Sequence, residues 1–137
     1  MTILIIDGQG GGIGKGIIEQ LKKKNCSHRI IGVGTNFAAT SAMLKAGADA
    51  GATGENPVIY NSEKADIIAG PIGIISANSM YGEISPAIAQ AVSKSNAEKV
   101  LIPIAKSNIH IISTAEMPMQ AYIEETADYI INKCKIM

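Results

Sequence analysis

The first apolar block, Ile3-Leu4-Ile5-Ile6, is continuous rather than alternating. That is the pattern of a strand buried on both faces of a parallel sheet. Glycine and polar residues take over from Asp7, and apolar positions return at Ile13, Ile17, Ile18 and Leu21, the spacing of one helical face. Lys22-Lys23-Lys24 and Asn25 close this helix, their cations complementing the carbonyl end of its dipole. Arg29-Ile30-Ile31-Gly32-Val33-Gly34 reads as a second strand. Strand, helix and strand make a βαβ unit, so the two strands should be parallel with a right-handed crossover.

Further along, Phe37 to Ala46 reads as a helix of small residues stopped by Gly47, a residue suited to the position after a helix end. Ala48–Ala52 is expected as a short strand, Thr53–Pro57 as a polar loop, and Val58-Ile59-Tyr60 as a second extended piece. Ala65-Asp66-Ile67-Ile68-Ala69-Gly70 is a central strand, apolar on both faces. Ser85-Pro86 opens a helix, with Ser as N-cap and Pro in the first turn. Lys99 to Ile104 is the next strand. Ile109 to Ser113 follows after the short Lys106-Ser107-Asn108 turn. So short a gap rules out a parallel crossover and allows one antiparallel edge strand. A last helix runs from Pro118 to about Cys134. The fold class expected is α/β, a three-layer Rossmann-like arrangement with a mostly parallel sheet and helices on both faces, as one domain over residues 1–137.

The stretch between the first strand and its helix carries the main chemical signal. Five glycines fall within residues 10–16, and Gly8 precedes them. A helix that begins in such a turn points free N–H groups and the positive end of its dipole at an anion. The dinucleotide pattern G-x-G-x-x-G fails, because its third glycine falls on Ile13 or Lys15. The phosphate loop G-x-x-x-x-G-K-[S/T] fails at Gln9 and Gly16. The spacing G-x-x-x-G-x-G does fit, at Gly8, Gly12 and Gly14. Over these residues the chain resembles the nucleotide turn of short-chain dehydrogenases. The binding candidates here are Gly8, Gln9, Gly10, Gly11, Gly12, Ile13 and Gly14.

Two other strand ends join them. After the second strand, where dinucleotide enzymes carry an acidic residue for the ribose, the chain has Gly34-Thr35-Asn36. Thr35 and Asn36 are binding candidates, and Asn36 also suits a helix N-cap. After the central strand come Gly70-Pro71-Ile72-Gly73. If this strand neighbours the first, that turn faces the glycine turn at the topological switch point of the sheet. Gly70, Pro71, Ile72, Gly73 and, further on, Asn78 complete the candidate set.

Taken whole, the chain resembles a bacterial family of uncharacterised small proteins, a domain of unknown function. The residues that carry the resemblance are Asp7–Gly14, Gly34-Thr35-Asn36, Ala39–Ala48, Gly51–Asn56, Gly70–Ile74, Ala77–Met80 with Gly82-Glu83-Ile84, and Leu101-Ile102-Pro103. The resemblance spans nearly the full length. It implies a Rossmann-like domain and carries no activity with it.

Composition narrows the functional classes. Twelve basic residues balance twelve acidic ones and aromatic residues make up 4%, which leaves no nucleic-acid footprint. No apolar stretch is long enough to span a bilayer, and no signal peptide precedes the first strand, so a cytoplasmic location is expected. Cys26 and Cys134 lack metal-ligand spacing, and no metal site is expected. His28 and His110 fall in a loop away from the glycine turn and within the Ile109–Ser113 strand, and both read as structural. No serine sits in a nucleophile elbow, and the tyrosine–lysine pair of short-chain dehydrogenases is missing from its usual place. The remaining acid–base candidates are Asp7, Glu55 and Glu83. Three functional readings stay open. One is a binding or sensor module for a nucleotide or phosphorylated metabolite. Another is a small enzyme using NAD(P) or another nucleotide. The third is a subunit whose partner supplies the chemistry. The apolar excess, with Met80-Tyr81 in a loop, points to a homodimer surface.

Overall fold

The computed structural model describes residues 1–104 and 109–136. Strand β1 (Thr2–Asp7) lies at the centre, and from Leu4 to Ile6 its side chains are fully buried. Helix α1 (Gly12–Lys23) leaves it through the glycine turn and returns the chain to β2 (Arg29–Gly34), which pairs parallel to β1 with Thr2 opposite Arg29 and Asp7 opposite Gly34. Helix α2 (Phe37–Ala46) leads to β3 (Ala50–Thr53), and α3 (Glu55–Ser62) crosses back to β4 (Ile67–Pro71) on the other side of β1. A 3₁₀ turn over Ile72–Ile75, a loop and α4 (Pro86–Lys94) precede β5 (Glu98–Ile102), and α5 (Met119–Ile136) ends the fold. The strand order is β3-β2-β1-β4-β5, and the four pairings between these strands are all parallel.

Two apolar layers flank the sheet. On one face Ile17, Ile18 and Leu21 of α1, Met43 of α2, and Ile123, Ala127 and Ile130 of α5 pack on Ile3 and Ile5. On the other, Val58 of α3 and Ile88 and Val92 of α4 pack on Leu4, Ile6 and Val33. Successive residues of β1 thus serve opposite layers, which is why that strand is apolar without a break. The expected three-layer α/β architecture is present.

Three expectations are corrected. The antiparallel edge strand does not form among the described residues. Apart from a bridge residue at Ile109, the stretch through Ser113 is irregular, and His110 is exposed outside any strand. The proposed connecting turn, Lys106 to Asn108, lies outside the described residues. Glu55–Ser62 is helical, where a loop and an extended piece were expected. Pro57 falls in its first turn, where a missing N–H costs nothing, and Val58 is drawn into the core. Among the described residues no helix is long and apolar enough to cross a membrane.

Candidate functional site

With β1 and β4 adjacent, the chain reverses direction across the sheet at β1, and the turns after these strands open at the same edge. This is the crevice in which open α/β sheets hold ligands. A cleft of about 70 Å³ lies here, lined by Asp7, Gln9 and Ile13 from the first turn and by Pro71, Gly73 and Met80 from the second. It has room for no more than a small group, so a nucleotide-sized ligand would lie across the edge rather than inside. Larger hollows of about 730 and 410 Å³ lie between the end of β5 and the start of α5, around Pro103, Met117 and Tyr122. The glycine-turn amides and the Asp7 and Glu83 carboxylates line neither.

The turn is built around a carboxylate. Asp7, 4% exposed, accepts from the Gly8 amide through Oδ1 at 2.7 Å and from the Gly14 amide through Oδ2 at 2.8 Å. It therefore takes up one of the N–H groups that the first turn of α1 leaves without a helical partner. Burial raises its carboxyl above the ordinary value, the amides of Gly14, Gly8 and Ile13 pull it back, and the Glu83 charge adds to the rise. Gly11, at φ 74°, is the residue before the helix, and the Gly11 amide donates to the Gly8 carbonyl at 2.9 Å. A Cβ on Gly11 would stand 2.7 Å from the Ala39 Cα. This glycine serves both the left-handed turn and the close approach of α2.

A second carboxylate spans the turns after β1 and β2. Glu83 Oε1 accepts from the Thr35 hydroxyl at 2.6 Å, the Gln9 amide at 2.9 Å and the Asn36 side-chain amide at 3.0 Å. The Thr35 hydroxyl, then the Gln9 amide and Asn36, hold the Glu83 carboxyl below its ordinary value. Asn36 is the helix N-cap foreseen for it. Its Oδ1 caps α2 by accepting from the Ala39 amide at 2.9 Å, and its Nδ2 also donates to the Gln9 carbonyl at 2.8 Å.

Most of the candidates therefore converge. Asp7, Gly8, Gln9, Ile13, Thr35, Asn36, Pro71, Gly73 and Glu83 share one edge of the sheet. Glu55 stands apart, its Oε1 accepting from the Ser85 hydroxyl at 2.6 Å. Ile72 is half-buried in the 3₁₀ turn. Gly70 is a packing residue, since a Cβ there would lie 2.2 Å from the Ile6 carbonyl oxygen. Asn78 is exposed, and its backbone N–H shapes the loop by donating a hydrogen bond to the Ile84 carbonyl at 2.6 Å. Sequence reasoning missed Ser79, Met80 and Ile104 as cleft residues. Their only signal was adjacency to the quoted loop and strand end. Among the described residues no cluster of three or more His, Cys, Asp or Glu could hold a metal.

The family described as Domain of unknown function (DUF3842) matches residues 2–135. The chain belongs to that family. No curated protein matches it significantly. Within this DUF3842 chain the Gly10 and Gly12 amides have no acceptor among the described residues, and no atom stands within 4 Å of a Cβ built on either. Gly8 and Gly14 differ, because a Cβ on Gly8 would meet Thr35 Oγ1 at 2.6 Å and one on Gly14 would meet Met43 Sδ at 2.7 Å.

Proposed function

We propose that the protein is a binding module for a nucleotide or another phosphorylated small molecule, with a phosphate on the amides of Gly10 and Gly12. The observation that carries this reading is the contrast within one turn. The amides of Gly8, Gln9 and Gly14 are engaged by Asp7 and Glu83, while those of Gly10 and Gly12 have no acceptor among the described residues, and a Cβ built on either glycine would meet open space. Free amides at the start of a helix, at the switch point of a parallel sheet, suit a phosphate. The test is thermal unfolding against NAD(H), NADP(H), ATP, GTP, flavins and sugar phosphates, with and without Mg²⁺. A ligand at a hundred times its dissociation constant adds about 2.7 kcal/mol, a rise of several degrees for a chain of this length. No shift with any phosphorylated compound would overturn the reading.

One observation favours a small enzyme as the second reading. Asp7 is a buried carboxylate with a raised pKa that lines the cleft, a common mark of acid–base groups. Turnover of a bound ligand that is lost in Asp7→Asn, with binding retained, would favour the enzyme.

A further inference from the structure

In dinucleotide-binding domains a carboxylate at the end of the second strand holds the adenosine ribose. The corresponding residues here, Gly34-Thr35-Asn36, include no acid. A carboxylate nevertheless stands at that place, delivered from the far side of β1. Glu83 lies 48 positions beyond Thr35, yet its Oε1 takes the Thr35 hydroxyl and the Asn36 side-chain amide together with the Gln9 amide. The loop that brings it is tightly built. Asn78, Met80 and Tyr81 all have left-handed φ, at 66°, 57° and 56°, Gly82 follows at 88°, and the Ser79 hydroxyl fixes the start of the reversal on the Gly73 carbonyl at 2.5 Å. Every hydrogen bond that the Glu83 carboxylate accepts among the described residues ends on Oε1. Oε2 has none there, and the residue is half-exposed.

We infer that Glu83 reads the sugar of the ligand, with Oε1 anchored to the two turns and Oε2 accepting from the vicinal hydroxyls of a ribose at the end of β2. The inference rests on the binding reading above and adds a substrate class to it: nucleotides with an unmodified 2′-hydroxyl. A 2′-phosphate would meet a carboxylate at that place, and like charges brought together are a strong means of rejection.

The experiment is isothermal titration of the wild type and Glu83→Gln with NAD⁺, NADP⁺, ADP, 2′-deoxy-ADP and inorganic pyrophosphate. A hydrogen bond to a charged group corresponds to about tenfold in affinity or more. The wild type should prefer NAD⁺ over NADP⁺ and ADP over 2′-deoxy-ADP by at least that factor. In Glu83→Gln, which keeps a carbonyl acceptor for the three donors, both preferences should fall below roughly threefold. Pyrophosphate affinity should not fall. Preferences that survive Glu83→Gln, or a wild type that takes NADP⁺ as well as NAD⁺, would overturn the inference. Binding of pyrophosphate without any nucleoside preference would overturn it while leaving the phosphate site standing. No binding even of pyrophosphate would remove both. Should Glu83→Gln fail to fold by circular dichroism, the two wild-type preferences decide alone.

Discussion

The sharpest prediction separates two glycines two residues apart. In Gly12→Ala the new methyl meets nothing within 4 Å, and the residue is exposed in the first turn of α1. Alanine restricts the unfolded chain and suits a helix, so stability should rise by about 0.5 kcal/mol, the lower part of the usual gain. On the proposed binding reading, the same methyl would intrude on the space of a phosphate at this turn. Loss of one amide bond to a charged group should weaken binding of pyrophosphate or ADP by roughly 10- to 100-fold. In Gly14→Ala the methyl lies 2.7 Å from Met43 Sδ and 3.1 Å from the Asp7 Cβ. Met43 can shift, but Asp7 is pinned by its bonds to Gly8 and Gly14. Overpacking costs about 1–3 kcal/mol, and the helical gain offsets about 0.5 of it, leaving a net loss of about 0.5–2.5 kcal/mol. Urea unfolding with an unchanged m-value reads the stabilities, and calorimetric titration reads the affinities. A Gly12→Ala protein that binds within about twofold of wild type would refute the assignment of the open amides. A Gly14→Ala protein as stable as wild type would refute the packing argument.

The other predictions concern charge and the sheet. The raised Asp7 pKa means that the native state holds this proton more tightly than the unfolded chain. Asp7 therefore weakens the fold as pH rises from the ordinary carboxylate range through its raised value, and Asp7→Asn should flatten that part of a urea-midpoint profile. The lowered Glu83 pKa has the opposite sign: its stabilisation is present above the unfolded value and lost as pH falls through the native one. Glu83→Gln should therefore lose less stability on acidification than wild type. Pyrophosphate affinity of the wild type should approach that of Asp7→Asn as Asp7 takes up its proton and fall below it at higher pH; parallel profiles in calorimetric titrations would contradict this. Gly70→Ala places a methyl 2.2 Å from a carbonyl oxygen of β1, and backbone in a central strand cannot step aside. A loss of about 3 kcal/mol or more is expected in urea unfolding, and a loss under about 1 would show that the two strands can separate locally.

How much of this was readable in the chain depends on what each segment answers to. Ile3–Ile6, Ile30–Val33 and Ile67–Ala69 declared themselves because burial on both faces leaves no room for polar residues. The caps at Asn36 and Ser85 were legible because the side chain that marks them also makes the bond. Glu55–Ser62 misled because Val58-Ile59-Tyr60 has strand composition, while burial of Val58 in the α3 layer decided for helix. Ile109–Ser113 misled for the converse reason. An apolar run needs a neighbouring strand to become one, and β5 pairs only with β4 among the described residues. The bond from Glu83 to Thr35 crosses 48 positions, and no local pattern announces such a contact.

The glycine run itself answered to more than one demand. Gly11 and Gly14 give way to α2, Gly16 to Ile123 of α5, and Gly8 to the Glu83 loop. Four of the six glycines between positions 8 and 16 are thus explained by neighbours within the fold, which leaves Gly10 and Gly12 as the two that the proposed phosphate site would account for. The carboxylates follow the same division. A helix start that attracts anions is partly satisfied by Asp7, and Glu83 closes the neighbouring turn. On the proposed binding reading, a phosphate would sit near two internal carboxylates. It would be confined to the narrow stretch where amides remain open, and a ligand whose only attraction is negative charge would gain little there. Affinity has to come from the rest of the molecule, from hydroxyl donors toward Glu83 and from surface buried across the edge of the sheet, and for this reason a bare phosphate should bind more weakly than a nucleotide.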